Sequence, residues 1–97
     1  MTIKEITALR RAGRLDEALQ AAENEFSLNA NNFTAGSLFW CLNDICKQET
    51  EQETIQPLYE RMNYLYEDFC SGDEYMPKSL NAIERRLDPI SKELKEA

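Results

Sequence analysis

An all-α fold of about five antiparallel helices follows from three features of the chain. Apolar side chains recur at three- and four-residue steps almost throughout, which is the period of an amphipathic helix rather than of a strand. Glycine and proline are sparse, three of each in 97 residues, too few for the many tight turns of an all-β fold. The turn signals are also confined to a few places: Gly13, the asparagine-rich segment 29–32, the polar run 47–53 and Ser71-Gly72-Asp73. At this length the chain makes one domain with a modest core. Its 42% hydrophobic and 30% charged residues are those of a soluble globular domain.

Each helix has its own justification. Thr2 caps the first, with Glu5 completing a capping box, and Ile3, Ile6, Ala8 and Leu9 supply its apolar positions. Arg10 and Arg11 occupy its last turn before Gly13 stops it. The second runs from about Leu15 to Leu28, with Asp16 and Glu17 in the turn where the helix dipole favours acids. Leu15, Ala18, Leu19, Ala22 and Phe26 form its apolar stripe. From Phe33 to about Lys47 hydrophobics cover most of the circumference (Phe33, Leu38, Phe39, Trp40, Leu42, Ile45 and Cys46), predicting the central, most buried helix. Thr50 and Glu53 offer a capping box for the fourth helix, which carries Ile55, Leu58, Met62, Leu65, Tyr66 and Phe69. Pro57 must lie in its first turn or kink it. The last helix starts near Pro77 and places Leu80, Ile83, Leu87, Ile90 and Leu94 at steps of three and four, with a potential break at Asp88-Pro89. Tyrosines and Trp40 are expected to supply much of the core area. No stop signal precedes Ala97, so the chain is expected to be the N-terminal part of a longer protein.

The segment Leu9–Leu19 (LRRAGRLDEAL), continuing through Phe26 to Asn32, resembles a tetratricopeptide repeat (TPR): a helix, a glycine turn, an acidic-capped second helix with small Ala18 at the crossing, and an asparagine-rich closing turn. Ala30 stands where that family usually has proline, and Glu25 where it usually has a small residue. The resemblance implies a single domain of two helical pairs, unit 1 about 2–32 and unit 2 about 33–70, in a right-handed superhelical stack. A C-terminal packing helix at about 77–97 would complete it. It also implies recognition of a partner's peptide or helix in a groove lined by the first helix of each pair. The groove-facing residues would be Thr7, Arg10 and Arg11 from the first unit and Ser37, Cys41 and Asp44 from the second. The same LRRAGRLDEA start resembles the helical N-terminal module of large bacterial conflict-system proteins.

Charge and chemistry narrow the function classes. The net charge of −7 repels phosphate backbones and argues against general nucleic-acid binding. Lys4, Arg10, Arg11 and Arg14 against Glu5 make a local balance of +3 that suits an acidic peptide. The ordinary alternative is that these cations complement helix C-termini in solvent. No apolar run is long enough for a membrane span and no secretory leader opens the chain, so a cytoplasmic location is expected. Cys41, Cys46 and Cys70 then read as reduced, buried thiols. Without histidine, a phosphate-cradling glycine loop or a nucleophile motif, neither catalysis, a cofactor nor a metal site is expected. The leading expectation is a non-catalytic interaction module. The alternatives are homodimerisation through Leu80, Ile83, Leu87, Ile90 and Leu94, and a helical spacer for a downstream catalytic domain.

Overall fold

The computed structural model describes residues 1–87, and they form five α-helices with no strand among them: α1 (Ile3–Arg11), α2 (Leu15–Leu28), α3 (Asn32–Gln48), α4 (Gln52–Phe69) and α5 (Met76–Arg86). The positions Asp88, Pro89, Ile90 and Leu94 singled out above lie outside the described residues.

Helix starts follow local side-chain chemistry. Thr2 Oγ1 accepts from the Glu5 amide at 3.2 Å while Glu5 Oε1 accepts from the Thr2 amide at 3.4 Å, which is the expected capping box. Gly13 adopts φ +79 and turns the chain into α2, a conformation that costs other residues strain. At α3, Asn31 Oδ1 accepts from the amides of Phe33 and Thr34 at 2.8 and 3.0 Å, so the helix begins one residue earlier than its apolar run. The Thr50/Glu53 box expected for α4 does not form. Glu51 is the N-cap and bonds no amide through its side chain, and Thr50 lies one residue too far out to reach the first turn. The helix start is instead tied sideways, Gln52 Nε2 donating to the Arg86 carbonyl at 2.7 Å. Pro57 sits beyond the first turn with its ring exposed, removing the amide that would have served Glu53. Asp73 Oδ1 accepts from the amides of Tyr75 and Met76 at 2.8 and 2.9 Å, so α5 also begins one residue early, with Pro77 in its first turn.

Sequential helices pack on one another, and α1 additionally reaches α3. Three contacts fix the directions. Cys70, at the end of α4, donates through Sγ to the Asn32 carbonyl at the start of α3. The start of α4 meets the end of α5 through Gln52 and Arg86. Arg86 Nη1 in turn donates to the Cys46 carbonyl at the end of α3, at 2.8 Å. Helices α3 and α5 therefore run the same way, with α4 antiparallel to both.

The core is centred on α3, whose Ala35, Leu38, Phe39, Cys41, Leu42 and Cys46 are all buried. Against it lie Ile6 of α1, the small Ala18 and Ala22 of α2, Ile55, Met62 and Leu65 of α4, and Met76, Leu80 and Ile83 of α5. Alanines at 18 and 22 let the α2 backbone approach closely. Two readings of the sequence need correction here. Phe33 opens the apolar run yet is 69% exposed. Trp40 is half-buried, and Tyr64 and Tyr75 are exposed, so aliphatic side chains and Phe39 supply most of the core. A T-shaped pair, Phe26 with Phe69 at 5.1 Å, and the ion pair of Arg61 with Glu23 at 2.5 Å join α2 to α4.

Candidate functional site

The two sides of α3 differ, and the six residues singled out from the sequence divide between them. On the α1 side, Arg10 Nε lies 2.8 Å from Asp44 Oδ2, with both side chains largely covered. Two of the residues expected to face a partner thus satisfy each other. Thr7 Oγ1 donates back to the Ile3 carbonyl of its own helix at 3.0 Å. Cys41 is 0% exposed, so its thiol reaches no surface. Arg11 stays exposed without an ion-pair partner among the described residues. The basic corner is smaller than its composition suggests, because Arg14 also pairs with Glu17, at 2.6 Å.

On the α5 side the seam is open. Along α3, Phe33, Gly36/Ser37, Trp40, Asn43 and Lys47 recur at helical spacing and so share one face. At the N-terminal end of this face, Phe33, Gly36, Ser37 and Trp40 line a cleft of about 450 Å³, closed by Phe69 of α4 and Met76 of α5. At the C-terminal end, Asn43 and Lys47 face Lys78, Ala82, Ile83 and Arg86 across a second cleft of about 330 Å³. Because α3 and α5 run parallel, the two clefts follow one another along the same α3/α5 seam, which we call the groove. They share no lining residue, and the first is aromatic and the second cationic. Arg86 closes the cationic end by donating to the Cys46 and Glu49 carbonyls, at 2.8 and 2.5 Å.

Two polar side chains in this groove lack partners. Ser37 is 8% exposed and Asn43 only 4%, yet neither makes a side-chain hydrogen bond among the described residues. The polar atoms of both still reach solvent in the clefts, so each is a place where a ligand's hydrogen bond could replace one to water. Of the six residues singled out, Ser37 alone lines this groove. Sequence reasoning missed Gly36, Asn43, Lys47, Met76 and Lys78; the available signal was a glycine inside the most apolar helix, at a position where it costs helix stability.

The thiols are not poised for chemistry. Burial pushes Cys41 up from 9.0 to about 11, with nearby Arg10 only partly offsetting it, and burial likewise raises Cys46 and Cys70. Among the described residues no helix is long and apolar enough to cross a membrane, and no group of three Cys, Asp or Glu could hold a metal ion. Leu80, Ile83 and Leu87, named above for dimerisation, are buried in the core of their own chain. No protein-family model, curated protein or solved structure matches this chain.

Proposed function

We propose that this chain is a non-catalytic protein–protein interaction module of the cytoplasm, with TPR-like helical pairs, that holds a peptide or helix of a partner protein in the α3/α5 groove. The observation that carries this reading is the open groove itself: an exposed Phe33 and a half-buried Trp40 flank an unpartnered Ser37. Exposed aromatics beside unsatisfied polar groups are the anchors that peptide grooves use. Support for paired repeats comes from the Arg10–Asp44 contact, which joins positions 34 residues apart, the period of that repeat. The small Ala18 and Ala22 at the α2 crossing support it too. The three free, buried thiols agree with a reducing compartment.

Selection of random displayed peptides of about 16 residues on the 97-residue chain tests the reading. Binders should be recovered that lose at least tenfold in affinity to Gly36→Leu, which fills the aromatic half from α3, and to Trp40→Ala. Each variant's fold is checked by circular dichroism. Recovery of no binder, or of binders indifferent to both changes, overturns the reading.

A further inference from the structure

We infer that the groove is a polarised site for an acidic segment, which seats a bulky apolar side chain at the aromatic end and a carboxylate at the cationic end. The inference rests on the groove being a peptide site and adds the chemistry of the occupant. Lys47 and Lys78 face each other across the cationic half, and neither has an ion-pair partner among the described residues. Among the described residues no carboxylate lines this half; Glu49 borders it, offering its backbone oxygen to Arg86. In a chain of net charge −7, a pocket lined, among the described residues, by three cations and no acid is a local inversion of the field. Asn43 is the second, independent observation. The residue is only 4% exposed, makes no side-chain hydrogen bond among the described residues and lies on the wall of the same cleft. There its amide reaches solvent and can donate to an oxyanion that the lysines attract. Apolar Ile83 and Ala82 complete the wall and reduce screening of that interaction.

The register fixes the ligand's dimensions. Gly36, in the middle of the aromatic half, and Asn43 are seven residues apart on α3, or about 10 Å at 1.5 Å per residue. A bound helix spans that distance with side chains at i and i+7, which share one face. In an extended segment, side chains three residues apart point to opposite faces, so the spacing favours a helical ligand. The aromatic end, walled by Trp40, Phe69 and Met76, takes the apolar member of the pair.

The direct test uses fluorescent helical peptides of about 16 residues. One carries phenylalanine followed seven residues later by glutamate; controls replace glutamate with glutamine or phosphoserine, or phenylalanine with alanine. Anisotropy against the intact chain should show at least a tenfold loss for the glutamine control and for the Lys47→Glu/Lys78→Glu variant. Affinity should also fall as salt is raised. Both lysines are exposed, so this variant folds, and Asn43→Ala serves as a second probe of the same half. Suppose instead that peptides sensitive to Gly36→Leu bind the charge-reversed variant as well as the native chain. The groove then remains a peptide site and the acidic assignment is wrong. Tenfold tighter binding of the phosphoserine peptide likewise overturns the carboxylate assignment in favour of a phosphorylated partner. Loss of all Gly36-sensitive binding removes the peptide-site reading itself.

Discussion

The two flanks of α3 start from the same helix and end differently. On the α1 side, Arg10 and Asp44 are of opposite charge and in register, and the seam closes around Cys41. On the α5 side, Arg86 ties the far end to the Cys46 and Glu49 carbonyls, but Lys47 faces Lys78, like charges that repel, and a groove persists between the helices. A seam between parallel helices closes where small or complementary side chains meet across it and stays open where like charges or bulky, exposed aromatics do. Packing is thereby concentrated on one flank and open surface, the proposed binding site, on the other, and the difference can be tested residue by residue.

The largest expected effect lies on the closed flank. Ile6 is the buried residue of α1 and is fully enclosed, so Ile6→Ala should cost roughly 2–5 kcal/mol in denaturant unfolding. Trp40→Ala on the open flank should cost clearly less, because its ring is half solvated. Equal losses would mean that Trp40 is a core residue rather than a groove wall.

Next comes pH. Thiols of the unfolded chain ionise near 9, whereas Cys41 keeps its proton to about 11. The unfolded state therefore releases that proton first as pH rises. The contribution of the buried neutral thiol is complete below pH 9 and is lost between pH 9 and 11, on the order of 2 kcal/mol. Unfolding free energies of the native chain and of Cys41→Ala, measured across this range, should converge as pH rises. Parallel curves would show that Cys41 is not the group responsible.

The ion pair is smaller again. A double-mutant cycle on Arg10→Ala and Asp44→Ala should give a coupling of about 1 kcal/mol, because the pair is largely covered and charge-assisted but not fully desolvated. A coupling near zero would leave apolar packing of Ile6 and Leu9 to close this flank.

Much of the architecture is legible in the sequence. The Thr2/Glu5 box, the Gly13 turn, the Asn-rich loop and the 3–4 stripes each depend on residues within a turn or two of one another, and those local rules were enough to mark five helices. The site was less legible, because a groove is a relation between helices that no local pattern encodes. Arg10 and Asp44 look like separate exposed charges in sequence; only packing reveals that they cancel. Lys47 and Lys78 are ordinary helix-surface lysines until α5 is placed parallel to α3. Cys41 and Ser37 sit four residues apart on one helix, yet a small rotation of α3 gives one to the core and the other to the groove wall. The Thr50 cap failed because α4 begins one residue later than that box requires. Gln52 bonds Arg86 of another helix, a tie that the segment alone does not predict.

The smallest expected effect concerns Gly36. It lies within α3 and, unlike Gly13, does not adopt positive φ, so no backbone requirement explains its presence. An added Cβ would meet Met76 Cε at 3.6 Å, an ordinary van der Waals contact. Gly36→Ala should therefore stabilise the chain by about 0.5–1 kcal/mol through helix propensity alone, read as a shift in the denaturant midpoint at unchanged slope. A glycine that is less stable than the alanine that fits in its place is one whose missing side chain keeps space open. The space it keeps is the floor of the aromatic cleft, between Phe33 and Trp40. If Gly36→Ala instead destabilises the chain, the cleft at this point is tighter than the geometry indicates, and the glycine is required for packing α3 against α5. If it stabilises the chain while weakening peptides that depend on Trp40, the lost stability of the native sequence is the cost of the groove.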